Sequence, residues 1–289
     1  MIDLHPKSNT LEPVYHTGPT LEQHFYQYWL DHKDDFNTRR FIPIFWTDFY
    51  MSPNPQWSEL QEYLDSLNPS DGYFAVSREA RAIFQRCPPN TLQFTAGGKR
   101  RRDVAIPLIC SPIPNTLIPE SSQKRFLASF VGSHNSHPCR RRLRELYQND
   151  RDFYFCSQRE SKYGPATTQE ELQEFIKIST ESEFMLCPRG YGPTSFRLYE
   201  AFQLGAVPVY ITGWGKEPWL PWEDEIDWSE ICVVIHETEL NGLGDTLRSI
   251  PTYKIEQMKA VAQDLFPYYF SMNGVCKNIQ RRLHFLPKT

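Results

Sequence analysis

Residues 183–211 read E-F-M-L-C-P-R-G-Y-G-P-T-S-F-R-L-Y-E-A-F-Q-L-G-A-V-P-V-Y-I. Phe184 to Cys187 is an apolar run of strand length. It breaks into Pro188–Pro193, a loop too rich in Gly and Pro for regular structure. Thr194 or Ser195 can cap a helix running to Leu204, and Gly205 stands where a left-handed residue ends one. Ala206 to Ile211 is a second apolar strand. Strand, glycine loop, helix and strand together present a helix N-terminus and open backbone N–H groups to an anion. Arg197 and Glu200 lie three apart, on one helix face. That spacing fits a plain helix salt bridge as well as a ligand site.

The rest of the chain fits an α/β reading. Its 289 residues favour two domains, and 40% hydrophobic with 14% aromatic content is enough for real cores. A net charge of -4 argues against a general nucleic-acid binder. Seven widely spread cysteines do not form a disulfide framework and read as reduced, mostly buried thiols of a cytosolic protein. The start, MIDLHPKSNT, lacks the charged flank and apolar core of a signal peptide, and no run approaches the ~20 apolar residues of a membrane span. A cytoplasmic location is the expectation.

From the N-terminus, apolar spacing predicts a helix over 20–33, a strand over 41–46 that Pro43 weakens, and a helix over 58–67. A strand at 73–76, a helix at 78–86 and a short strand at 104–107 follow. Asp48 comes just past the 41–46 run, and ligands gather beyond strand C-termini in such sheets. A carboxylate there can act as general base toward an acceptor hydroxyl, or simply close a turn on its own backbone. Asp71, Glu79 and Asp103 are alternatives. Lys99–Arg102 is a basic run whose default is a solvated loop, and the proline-rich 110–122 suits a linker.

The second half opens with a strand over 126–131, then Gly132-Ser133, then a helix from about Cys139 bearing Arg140, Arg141, Arg142 and Arg144. Glycine turn, helix dipole and guanidinium forks together suit a diphosphate, although the full dinucleotide fingerprint is absent. His134, His137 and Cys139 are metal-ligand types, but no second pair lies at usable spacing. They read as loop residues near a polar site. Strands at 152–156 and 231–235, a helix at 169–179, two helices split by Pro251 and a last helix over 274–285 complete a Rossmann-type pattern.

Cys-Pro-Arg-Gly at 187–190, Ser-Phe-Arg at 195–197, Glu-Ala at 200–201 and Gly-Ala-Val-Pro-Val at 205–209 closely resemble the donor-binding segment of exostosin-like glycosyltransferases, family 47. Similarity also touches Asp103–Pro107, the strand before Gly132, and the acidic tryptophan-rich stretch 219–228. The resemblance is to the small soluble members of algal viruses and bacteria. It implies a GT-B fold: two Rossmann-like α/β domains facing across a cleft, 1–122 on the acceptor side and 123–270 holding the nucleotide sugar. Residues 271–289 would form a C-terminal helix packing back on the first domain.

The implied activity is inverting transfer from a UDP-sugar, with xylose the favoured analogy, to an oligosaccharide or glycoprotein glycan. Glu200 would bind the donor ribose. Arg189 and Arg197 would neutralise the diphosphate, with Gly132, Ser133, Arg140, Gly190, Thr194 and Ser195 completing the donor pocket. Asp48 would be the base, and Asp103, Asp224 and Asp227 sugar or acceptor contacts. No metal ligand set and no essential divalent cation are expected. The alternative from another class is a silent glycan- or nucleotide-binding module of the same fold.

Overall fold

The structure is a computed structural model describing residues 3–5, 18–52, 54–78, 83, 85–96, 103–110, 112–156, 160–161, 164–165, 168–213 and 220–285. Most of the predicted 78–86 helix, Glu79 and the basic run Lys99–Arg102 lie outside the described residues. The first half contains α1 (Leu21–Asp31), β1 (Arg40–Phe41), α2 (Trp46–Met51), α3 (Trp57–Ser66), β2 (Tyr73–Ser77), β3 (Thr91–Thr95) and β4 (Asp103–Ala105). The strands form a parallel sheet in the order β1-β2-β3-β4. α1 starts on a capping box, Thr20 and Gln23 exchanging side-chain and backbone bonds.

The strand expected over 41–46 is much shorter. Ile42 N still donates to Phe74 O at 2.9 Å, but Pro43 offers no N–H and Ile44 N turns back to Ile42 O. Freed from the sheet, Trp46–Met51 coils into α2. Asp48 therefore lies in a short helix rather than at a strand tip. β3 escaped the sequence reading because Thr91–Thr95 holds only two large apolar residues. Its place is set by pairing with β2, every residue of which is buried.

The second half contains β5 (Phe126–Val131), α4 (Pro138–Tyr147), β6 (Phe153–Cys156), a small antiparallel pair β7 (Glu160–Ser161) and β8 (Gly164–Pro165), and α5 (Gln169–Thr180). Then follow β9 (Ser182–Pro188), α6 (Phe196–Gln203), β10 (Val207–Thr212), β11 (Val233–His236), α7 (Leu243–Ser249), α8 (Thr252–Tyr269) and α9 (Met272–Phe285). The large sheet is parallel throughout, in the order β11-β10-β9-β5-β6. From β5 the chain steps outward to β6, then crosses back to β9 on the other flank of β5. That reversal is a topological switch point, and it opens a crevice beyond the carboxyl ends of β5 and β9.

One apolar core spans the two halves, running from Phe25, Phe74 and Phe94 through Ile106, Ile109 and Ile113 to Phe175, Tyr199 and Phe270. The segment read as a linker is thus partly core: Ile113 is buried, and its N–H donates to Gln203 Oε1 at 2.9 Å. α9 returns to the first half, where Gln280 bonds Tyr28 and Asp35 and the Leu283 carbonyl accepts from Thr38. Among the described residues no helix is long and apolar enough to cross a membrane.

Candidate functional site

The crevice is built by two loops, one after β5 and one after β9. The β9 loop runs into α6, whose N-cap Ser195 accepts from Arg197 N at 3.3 Å. Gly205 ends that helix region at φ +64°, as its sequence position predicted. Arg140 on α4 clamps the two loops together. Its Nε donates to Arg189 O at 2.9 Å, Nη1 to Ser133 O at 2.9 Å and Nη2 to Pro188 O at 3.1 Å. Expected as a phosphate ligand, Arg140 spends these three donors on loop carbonyls and acts first as the tie between strands.

Arg197 reaches from α6 back to β5. Its Nε donates to Val131 O at 2.9 Å, its guanidinium lies over Phe175 at 4.2 Å, and Nη1 pairs with Glu200. At Gly132 a Cβ would meet the Phe130 ring at a tight 3.2 Å and Arg197 Nη2 at an ordinary 3.8 Å, so the glycine chiefly clears Phe130. Gly190 serves the opposite loop: a Cβ would come within 3.3 Å of Arg140 Nη2 and 3.8 Å of Ser136 Oγ. That Ser136 hydroxyl is buried with no hydrogen-bond partner. Glu200 lines a cavity of about 10 Å³ against Leu108–Cys110, Ile113 and Gln203, room for roughly one water.

The charge of this region is legible in its histidines. Burial, then the guanidinium charges of Arg144 and Arg140, push His134 down to about 4. Burial, then Arg189, likewise depresses His137. For both rings burial is the larger cause, and the arginine charges add to it. Arg189, Thr194, Ser195 and Glu200 are all buried, and all four lie on the β9 loop or on α6.

A second group lies at the end of the first sheet. Asp48 is buried on α2 and accepts from Gln23 Nε2 at 3.3 Å. Next to it stands Glu22, which the sequence reading passed over. It accepts from Thr47 N and Oγ1 and from Arg78 N (2.7 Å for the last two), tying α1 to the chain leaving β1 and β2. Its partners are 25 and 56 residues away, so no local pattern marks it. Burial pushes its carboxyl up to about 7, against the pull of the Thr47 and Arg78 bonds, and the Asp48 charge adds to the rise.

A carboxyl that folding raises stabilises the protein fully below its unfolded value, and that contribution fades as pH climbs through the folded one. Unfolding free energy should therefore fall between about pH 4.5 and 7, by on the order of 2–3 kcal/mol, and Glu22→Gln should flatten the slope. Urea titrations across that range measure it; equal slopes in both proteins would refute it.

Three predicted contacts lie elsewhere. Asp103 starts β4, at the amino end of an edge strand of the first sheet. Asp224 pairs with Arg282 of α9, and neighbouring Glu225 with Arg281 and Arg282. Asp227 caps the turn at Trp228–Glu230 by accepting from Ser229 N at 3.0 Å. Both aspartates thus have structural partners at the corner where residues 224–230 meet α9.

A match to the Exostosin GT47 domain covers residues 90–250, more than half of the chain and both loops of the crevice. The probable glucuronosyltransferase GUT1 of Oryza sativa subsp. japonica is 37% identical over 97 residues, 34% of this chain and 21% of that protein. Exostosin-1 of Drosophila melanogaster is 35% identical over 98 residues, 34% of this chain and 12% of its own length. The chain thus aligns with about a fifth or less of these relatives. A looser likeness, TM-score 0.39 and 11% identity over 80% of this chain and 48% of the other, is to the pneumococcal O-GlcNAc transferase GtfA in complex with UDP and GlcNAc. The chain belongs to the exostosin GT47 domain family.

Proposed function

We propose that this chain is a glycosyltransferase that moves a sugar from a UDP-sugar to a hydroxyl of a glycan acceptor with inversion. The observation that carries the reading is the switch-point crevice. Two loops and the starts of α4 and α6 converge there with Arg189 and Arg197, beside a buried Ser136 hydroxyl that lacks a partner. Helix N-termini and guanidinium groups suit a diphosphate, most of all as it gains charge on leaving. The arginines supply from the chain itself the positive charge that metal-dependent enzymes take from an ion. Glu200 is assigned to the ribose.

Inversion needs one direct displacement, with a base removing the acceptor proton on the face opposite the leaving group. Asp48 is assigned that role. Xylose is the favoured sugar by family analogy, and the rice relative's name adds glucuronic acid as a second donor to try.

Melting temperature measured with a panel of UDP-sugars and UDP tests the donor reading. A donor at 100 times its Kd should stabilise the native state by about 2.7 kcal/mol. If no uridine nucleotide raises the melting temperature, the donor assignment fails. Binding without transfer to any glycan would leave the silent module in its place.

A further inference from the structure

At the rim of the crevice, three side chains that the proposed reaction does not use come together. His137 precedes α4, Cys139 lies in its first turn, and Glu237 follows β11. One ligand atom from each lies within 4.8 Å of the other two, with Cys139 buried and the others half-buried. The sequence reading had grouped His134 with His137 and Cys139. The fold removes His134, whose ring is buried against Phe130 and Phe155, and supplies Glu237 from about a hundred residues further on.

We propose that His137, Cys139 and Glu237 form a site for a thiophilic divalent cation of the zinc class. One sulfur, one imidazole nitrogen and one carboxylate oxygen make the mixed donor set that zinc accepts, and three protein ligands leave a fourth position for water. Charge bookkeeping favours it despite nearby Arg140 and Arg189. A thiolate and a carboxylate cancel the ion's two charges, so the filled site is neutral. Binding is a proton exchange: the cation forms the metal–sulfur bond and the Cys139 thiol releases its proton to solvent.

Two features of the site fit that use. His137 Nδ1 faces Cys139 N at 3.3 Å, so in the neutral ring its lone pair already points toward the cysteine backbone and the cap bond is long enough to trade. Gly213 is the second. A Cβ there would fall 2.3 Å from Glu237 Cδ and 2.6 Å from Oε1, so only a glycine lets the carboxylate lie where it does. Gly213→Ala must shift the carboxylate from the position in which it meets His137 and Cys139.

The test is equilibrium dialysis of the full chain against Zn²⁺, with metal counted by mass spectrometry, and a parallel Co²⁺ titration read by absorption. The expected result is one ion per chain and a thiolate-to-cobalt charge-transfer band. Cys139→Ser should erase the band, although the other six cysteines remain. His137→Gln and Glu237→Gln should each weaken binding by more than the ~10–100-fold that loss of an outer-shell partner costs. Gly213→Ala should weaken it with all three ligands present, and circular dichroism confirms that each variant is folded. Failure of the wild type to hold Zn²⁺ above the folded Glu237→Gln variant, or Co²⁺ bound without the thiolate band, would overturn the assignment. UDP-sugar binding is scored separately, so this site can fail while the donor reading stands.

Discussion

Arg197→Ala should lower the unfolding free energy by about 3–5 kcal/mol, the usual result of removing one member of a buried ion pair. Only 13% of the Arg197 side chain and 6% of the Glu200 side chain are exposed, so solvent screens the pair little. Truncation leaves Glu200 charged without that cation, takes a donor from the Val131 carbonyl and strips the guanidinium from the Phe175 ring. Replacing both partners by apolar residues of similar shape should recover much of the loss, because neither desolvated charge then remains. Chemical denaturation of the two single variants and the double variant makes a cycle that isolates the pair. A cost under about 1 kcal/mol for Arg197→Ala would mean that the pair behaves as an exposed one despite its burial. The same variant should lose donor binding, since Arg197 is a proposed diphosphate partner.

Much of this architecture could be read in the chain beforehand, for a physical reason. Parallel strands buried on both faces are continuous apolar runs, so Phe184–Cys187, Ala206–Ile211 and Phe126–Val131 announced themselves. Gly205 at φ +64° and Ser195 at the N-cap are local rules, set by one residue's backbone or side chain. The misreadings share a different cause. Pro43 was noticed, but that losing one N–H would turn Trp46–Met51 into a helix depended on what the sheet could still offer. Nor can sequence show the carbonyls of residues 188 and 189 that Arg140 bonds. Glu22 and Glu237 went unseen because each acts on partners brought near only by the fold.

Asp48→Asn should leave UDP-sugar affinity unchanged and lower the transfer rate by roughly 10²–10⁴-fold, the usual contribution of a positioned general base. The amide keeps the size and polarity of the carboxylate, so the bond with Gln23 has a replacement and α2 should keep its place. What it cannot do is take a proton. The rival in the same corner is Glu22, and the two are separable by what their oxygens already hold. Glu22 accepts from two backbone N–H groups and a hydroxyl, and losing one of those acceptors disturbs where α1 meets the ends of β1 and β2. Glu22→Gln should thus lower stability and raise KM through misplacement of the acceptor side. Asp48→Asn should lower kcat in a protein of normal stability. Single-turnover transfer with donor at saturation separates these cases, because it reads the chemical step without substrate binding or product release. If Asp48→Asn transfers sugar at near-normal rate while Glu22→Gln fails at saturating substrate and normal stability, the base is Glu22. The helix that Pro43 made possible would then serve only to hold it.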